Sequence, residues 1–547
     1  MPALNLPASV ATAPAPAAQR RRDLFLIVCV GLVTGLPFLW QNYNWSRREV
    51  RHAVIAAEMA ERNEYLVPHH LGELYQFKPP VVHAEMAVYF KLFGGPSMFL
   101  ARLPSLLASI LAALAVYGLG RVLISRKTGL FAACAMLAVP GIAKIARIAG
   151  PDMTFTAALL LMSLGLAAGL GADQMRRRLA YAFLGGLAGG VAWLTKGPYG
   201  IAFIGLFTLF TLIFAPLQAR DSARFRDPAD EDPAPNLTFR GVVPAALLFT
   251  LGLFLIPGTW VLVLQARGDT EYLHRLFHQY DPATDAHIEA FYWYLGPGCA
   301  NLIPWLLFIP LGLLEWKKFR WLLLMVLALF LVFSAIPGKA ERYLSPWFCW
   351  AMLALCAPIV ARERVPWLRA TSRALLILMS LGVVLYQGVF LPLRSPVNED
   401  LKVAVETLEA LPDRCAILCY KGKGEEVAWQ AYQHRPAGAV LVGGRNDGAW
   451  PLAWSARQVL DQRTLFVLVN AKEVDDLRAS LPGVTLEEVR EIEGLPPKPG
   501  EGAKAAEKGS APKDAPRWVL FRAQLDETVA RGVDQSILDT VHGADEE

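Results

Sequence analysis

Charge is scarce in this chain: of 547 residues, 18% are Asp, Glu, Lys or Arg and 54% are hydrophobic. That apolar share lies above the range of ordinary soluble domains. No basic stripe interleaved with aromatics occurs and the formal charge is only +5, so a nucleic-acid partner has no support. Five of the seven cysteines, Cys29, Cys134, Cys299, Cys349 and Cys356, lie inside apolar runs, where they serve as small hydrophobes rather than a disulfide framework. Cys415 and Cys419 fall on one face of a predicted strand, too far apart to pair comfortably, and no CxxC or Cys/His spacing suggests zinc. GxGxxG, P-loop, HExxH and triad signatures are also missing. The Ala/Pro-rich stretch before Arg20 has no cleavable signal pattern, so the first apolar run is expected to remain as an anchor.

What the chain does have is long apolar runs, sized to cross about 30 Å of hydrocarbon. They predict about eleven spans, near 24–40, 99–120, 128–146, 154–172, 180–194, 199–216, 242–264, 296–314, 320–334, 345–360 and 371–393. Basic clusters fall on alternate connections, at Arg20–Arg22, Arg121–Lys127, Arg176–Arg178, Arg220–Arg226, Lys317–Arg320 and Arg362–Arg369. The excess of Lys and Arg on cytoplasmic loops then places these inside. The amino terminus is thereby cytoplasmic, and the segments 41–98, 147–153, 195–198, 265–295, 335–344 and everything after 394 are extracytoplasmic. The cytoplasmic connection 217–241 is mixed in charge and Pro-rich, a composition expected to be flexible.

The expected architecture is an α-helical polytopic membrane protein in three parts. Residues 1–22 form a cytoplasmic tail, 23–393 the transmembrane domain with outer loops 41–98 and 265–295, and 394–547 a small extracytoplasmic α/β domain with a flexible linker at 495–515. Helical periodicity over 49–62 and 81–93 predicts amphipathic helices along the membrane surface. After the last span, Glu406–Leu411, Val427–Tyr432 and Ala471–Leu481 read as helices, and Cys415–Tyr420, Ala439–Val442, Thr464–Val469 and Trp518–Arg522 as strands.

The outer segments hold the ordered motifs RREVRHA (Arg47–Ala53), Glu58-Met59, VPHHLGELYQFKPP (Val67–Pro80), ARLPS (Ala101–Ser105), Pro151-Asp152-Met153, LTKGP (Leu194–Pro198), Pro304-Trp305 and GKAERYLSP (Gly338–Pro346). In this order they resemble the GT-C glycosyltransferases, in particular the lipid A aminoarabinose transferases and the protein O-mannosyltransferases, over about residues 24 to 360. The resemblance implies a GT-C fold and inverting transfer of a sugar from a polyprenyl phosphate to an extracytoplasmic acceptor, lipid A-like or another envelope glycan, in a bacterial-type inner membrane. It also implies that an acidic residue of the first outer loop acts as base or orients the acceptor. Many relatives carry an Asp where this chain has Arg48, which leaves that task to Glu49, alone or with Asp152.

Chemistry asks for the same groups. An attacking hydroxyl or phosphate must be deprotonated or oriented, which a carboxylate in hydrogen-bond reach can do. Asp152 stands at the outer end of a span, where an ionisable group points to function; it is equally suited to cap the helix that follows. Glu49 has the alternative of balancing Arg48 and Arg51. Lys78, Lys196, Lys339 and Arg342 lie in outer connections, which are usually poor in positive charge. Such groups are suited to hold a leaving phosphate, although any one of them could be an anchor to headgroups. Arg51, His52 and Tyr343 are further candidates for donor or acceptor contact, Tyr343 with the alternative of an aromatic belt.

Histidines crowd the outer face at 52, 69, 70, 83, 274, 278 and 287, yet only His274 and His278 share a helix face and no third ligand stands near them. Phe77 occupies a place where some aminoarabinose transferases carry a metal-binding Glu. No cofactor or metal is expected; the expected partners are membrane lipids, the lipid-linked sugar and a lipid or glycan acceptor. Two rival readings are a lipid or glycan transporter or flippase, and a non-catalytic GT-C relative. A transporter predicts ionisable groups at the bilayer midplane and broken, repeated spans, whereas the polar groups here gather at one face.

Overall fold

A computed structural model describes residues 17–37, 39–40, 47–225, 236–278, 289–336, 338–394, 399–436, 438–443, 455, 458, 463–493 and 517–525. The expected linker at 495–515 and most of the tail lie outside the described residues, as do parts of the loops 217–241 and 265–295. In chain order the helices are α1 (Ala17–Gly35), α2 (Arg47–Arg62), α3 (Val81–Leu92), α4 (Met98–Leu123), α5 (Arg126–Leu137), α6 (Pro140–Ile145), α7 (Asp152–Gly171), α8 (Met175–Lys196), α9 (Pro198–Arg224) and α10 (Val242–Arg267). They continue with α11 (Thr270–His278), α12 (Leu295–Leu302), α13 (Ile309–Leu314), α14 (Trp316–Ala335), α15 (Ser345–Ala361), α16 (Pro366–Leu385), α17 (Leu391–Arg394), α18 (Glu399–Ala410), α19 (Gly424–His434) and α20 (Val474–Ser480). Two compact units result: residues 1–39, 77–82 and 102–390, and residues 40–76, 83–101 and 391–547.

The first unit is the helical bundle. Among the described residues seven helices, beginning at Met98, Asp152, Pro198, Val242, Trp316, Glu341 and Pro366, are long and apolar enough to cross a membrane, and the pair Phe291–Leu302 and Trp305–Leu314, bent by 91°, makes an eighth if counted as one span. Three of the expected eleven fail this test, for separate reasons. The run 24–40 is cut short because α1 spends its first turns on Arg20–Asp23 and ends at Gly35. The run 128–146 breaks at Pro140 into α5 and α6, since proline cannot donate within a helix. The run 180–194 lies in α8, whose Arg-rich start and four glycines lower its hydropathy. Those glycines let the backbones touch: a Cβ on Gly186 would run into the Phe249 carbonyl of α10, and Gly165 of α7 meets Gly185, the small-residue packing that substitutes for hydrophobic drive between helices in lipid.

In α15, apolar all round, 89% of the most apolar window is buried, against 17% in the span that begins with α16. A helix hydrophobic on every face belongs inside, and α16 instead exposes Ile377, Leu378 and Leu381, as a lipid-facing helix does. At one polar end of this bundle the basic clusters are neutralised in place: Asp23 takes Arg126 and Tyr117, Asp221 takes Arg320, and Glu315 takes Arg362.

The second unit joins the first long loop to the carboxy-terminal segment. Its sheet has the order β4-β3-β5-β7-β6, with β3 (Cys415–Tyr420), β4 (Val440–Gly443), β5 (Thr464–Asn470), β6 (Val484–Glu493) and β7 (Arg517–Leu525). A short hairpin in the loop, β1 (His69–His70) with β2 (Glu73–Leu74), precedes them. Strand β3 is parallel to β4 and β5, in register Cys415 with Val440 and Thr464, while β7 runs antiparallel to β5 and β6. The expected helices and strands of this region are all present. Strand β6 was not expected: Glu-rich and exposed along most of its length, it is an edge strand, where charge blunts unwanted pairing and also hides the strand pattern. Val50 and 52–60 are buried throughout, Glu49, His52 and Glu58 included, because α2 packs against α19 of the same unit.

Candidate functional site

The charged groups of the first unit converge at the start of α7. The backbone from Ala146 to Gly150 is tied down by Ser105 of the ARLPS motif, whose hydroxyl donates to the Ile148 carbonyl at 2.7 Å and the Gly150 carbonyl at 3.3 Å. Asp152 then opens the helix. Pro151 occupies the cap position without a side-chain bond, so the carboxylate of Asp152 does not serve as the N-cap it is suited to be. It is ion-paired to the Lys196 ammonium, and its other oxygen lies 3.6 Å from Nε of Arg342. Lys78 is near enough for its charge to act on the same carboxylate.

Lys196 ends α8, and Gly197 turns the chain into α9 with φ +66°, a conformation L side chains avoid. The turn leaves the ammonium 5.5 Å from the Phe155 ring centroid and 5.3 Å from that of Tyr343, within the range of cation–π attraction. Arg342 stacks on Tyr343 at 4.9 Å and donates to its hydroxyl at 3.3 Å. Tyr343 thus belongs to the charged cluster rather than to a belt. Two residues that the motif reading passed over hold the parts together: the Thr156 and Ser345 hydroxyls meet at 2.7 Å, where one donates to the other and the accepting one donates to its own carbonyl partner, that of Asp152 for Thr156 or of Arg342 for Ser345, each at 2.8 Å. Their signal in the sequence was faint, a hydroxyl one turn after Asp152 and another just after Tyr343.

Lys339 does not join the cluster. It is only 4% exposed, and its ammonium donates to the carbonyls of Glu289 and Ile336 at 3.0 and 2.8 Å. Glu341, which the motif reading left without a role, accepts from Asn301 at 2.9 Å and from Lys144 at 3.1 Å.

In the second unit Glu49 is buried in the first turn of α2. One turn on, His52 Nδ1 lies 2.9 Å from His83 Nε2 in a buried imidazole pair, with the Tyr75 ring edge-on to His83 at 5.6 Å. Arg51, expected at a substrate, instead donates from Nε to Glu425 of α19 at 2.8 Å, and His70 Nε2 stands 3.7 Å from the same carboxylate. Burial pushes the His70 imidazole down to about 4, against the pull of Glu425. Burial likewise raises Glu58, whose carboxylate pairs with Arg62 at 2.7 Å and accepts the Gly72 amide. Among the described residues no three His, Cys, Asp or Glu side chains gather as a metal site.

A bundle of helices long and apolar enough to cross a membrane, with one carboxylate held between a lysine and an arginine at its polar end, defines a polytopic membrane protein. Residues 77–225 match the family described as dolichyl-phosphate-mannose-protein mannosyltransferase. The chain is similar to the undecaprenyl phosphate-α-4-amino-4-deoxy-L-arabinose arabinosyl transferases of Pectobacterium atrosepticum, 29% identical over 63% of this chain and 61% of the relative, and of Yersinia enterocolitica, 26% identical over 58% and 55%. Little more than half the length of these relatives is spanned. Its fold is that of the crystal structure of ArnT from Cupriavidus metallidurans bound to undecaprenyl phosphate, with TM-score 0.65 and 16% identity over 93% of this chain and 98% of that one.

Proposed function

We propose that the chain transfers a sugar, with inversion, from a polyprenyl-phosphate donor to an extracytoplasmic lipid A-like glycolipid or another envelope glycan. The observation that carries this reading is the Asp152 carboxylate held by Lys196 and Arg342 beside Tyr343 at the mouth of an apolar bundle. Cations already arranged around an anion need little reorganisation to receive a phosphate. In the proposed reaction Lys196, Arg342 and Lys78 turn to the donor phosphate, and a freed oxygen of Asp152 takes the proton of the acceptor hydroxyl. The acceptor oxygen bonds to C1 as the C1–O bond to phosphate breaks, and polyprenyl phosphate leaves with the electron pair. Glu49 is proposed as a second carboxylate for orienting the acceptor. The names of the curated relatives and the undecaprenyl phosphate in the ArnT crystal structure support a polyprenyl-phosphate donor.

Transfer from a labelled lipid-linked sugar by purified protein tests this. Asp152→Asn is expected to lower kcat by about two to four orders of magnitude, the usual worth of an acid–base group, and Glu49→Gln to lower it as well; unchanged transfer by both would sink the assignment. No metal takes part in the proposed step, so exhaustive chelation should leave the rate unaltered. We also propose an inner-membrane location with the amino terminus in the cytoplasm and the carboxy terminus outside, which reporter fusions at the two ends check.

A further inference from the structure

The second unit contains a cavity of about 340 Å³ that the proposed chemistry does not use. Its floor is apolar and made of small residues: Ala57 and Ala60, one helical turn apart on α2, and Ala431 on α19, with the Phe90 ring as a wall. All four are buried. The mouth is lined by Gly94 and Gly95, at φ +94° and +122°, where an added Cβ would meet nothing within 4 Å. Around the rim stand Glu61, Lys91, Tyr432 and Arg435.

These rim groups are differently engaged. Arg435 is fixed by Asp413 at 2.6 Å and by the carbonyls of Leu408 and Leu411. Glu61 takes the Gly438 amide on one oxygen. Lys91 makes no ion pair and the Tyr432 hydroxyl no hydrogen bond among the described residues. Burial and the charges of Glu58 and Glu61 hold that hydroxyl protonated, so it remains a donor.

We infer that this cavity binds a pyranose ring of a glycan, its apolar C–H face on Phe90 and the alanine floor and its hydroxyls on Glu61, Lys91 and Tyr432. An acyl chain would cover Lys91 and the Tyr432 hydroxyl without giving either a partner, at a cost of kilocalories for a buried polar group, and a phosphate would face the Glu61 carboxylate. The volume lies at the lower end for ligand cavities, room for one or two rings. Resting on the transfer reading, the ring belongs to the acceptor.

The test uses the full chain in nanodiscs, with methyl pyranosides, including a 2-amino form, titrated by ligand-observed NMR against a linear alditol and inorganic phosphate. Saturable pyranoside binding is expected, unaffected by phosphate. Tyr432→Phe or Lys91→Met should weaken it about fivefold, the worth of one hydrogen bond, and Ala60→Leu should fill the floor and remove it, all with unchanged thermal midpoints. In transfer assays the same variants should raise the acceptor KM and leave kcat alone. Absence of saturable binding, or binding indifferent to Tyr432→Phe in a folded variant, overturns the site. Pyranoside binding by a protein without transferase activity keeps the site and sinks the transfer reading. Transfer with an acceptor KM unmoved by the variants does the reverse.

Discussion

Thr156 and Ser345 illustrate how much of a site can lie in groups that touch no substrate. Their mutual hydrogen bond joins the first turn of α7 to the turn carrying Arg342, and supporting contacts of this kind fix the geometry that positioning catalysis requires. Thr156→Val keeps the volume and removes the hydroxyl; kcat should fall about tenfold or more while the thermal midpoint moves little, as steady-state transfer and a melting curve on one preparation would show. Lys339→Met makes the contrast. The change leaves two carbonyls of the fold without a donor, so it should lower stability by about 1–3 kcal/mol with donor KM unchanged. A large rise in donor KM in this variant would return Lys339 to the phosphate. On the page of sequence Lys196 and Lys339 look alike, each in an outer connection next to glycine; what separates them is the groups that the folded chain brings beside each ammonium.

Among the elements, α10 carries two glycines with opposite surroundings. A Cβ on Gly252 would strike the Phe183 carbonyl of α8, whereas one on Gly258 meets nothing within 4 Å. Gly252→Ala should therefore lower the melting temperature, with an overpacking cost of about 1–3 kcal/mol. Gly258→Ala should be neutral or raise it, since alanine is favoured over glycine in a helix by up to about 1 kcal/mol. Equal effects would mean that α8 and α10 do not meet at these glycines. Hydropathy made the helices readable because it is a property of neighbouring residues, and the same locality explains where the reading slipped. Pro140 splits one run, charge trims α1, and the Glu-rich β6 conceals its alternation behind solvent-facing side chains.

For the molecule as a whole, the second unit is bound together by charge buried between its loop and its carboxy-terminal helix, and this carries a pH dependence. His70 falls to about 4 in the folded state from an ordinary value of 6.5, burial being the larger cause. Below pH 6.5 the unfolded chain takes up a proton that the folded chain refuses. The stability that His70 contributes is therefore complete above 6.5 and is lost as pH falls toward 4. Glu58, raised by burial, acts in the opposite sense over the acid range, so the clean measurement is a difference. The melting temperature of wild type relative to His70→Gln should decline from pH 6.5 to 4, and a pH-independent difference would show that His70 titrates normally.

Composition and periodicity suffice for the apolar bundle, the loop helices and most of the carboxy-terminal sheet, because burial in lipid or in a core acts on each segment through its own side chains. Motif order carried the GT-C resemblance, and with it Asp152, Lys196 and Arg342 as a set. Partnership lay beyond that reach. Arg51 on Glu425, His52 on His83, Asp152 between Lys196 and Arg342 join residues far apart in the chain, and a charge has no partner until folding sets one within a few ångströms, where Coulomb attraction and hydrogen bonding outweigh the cost of leaving water.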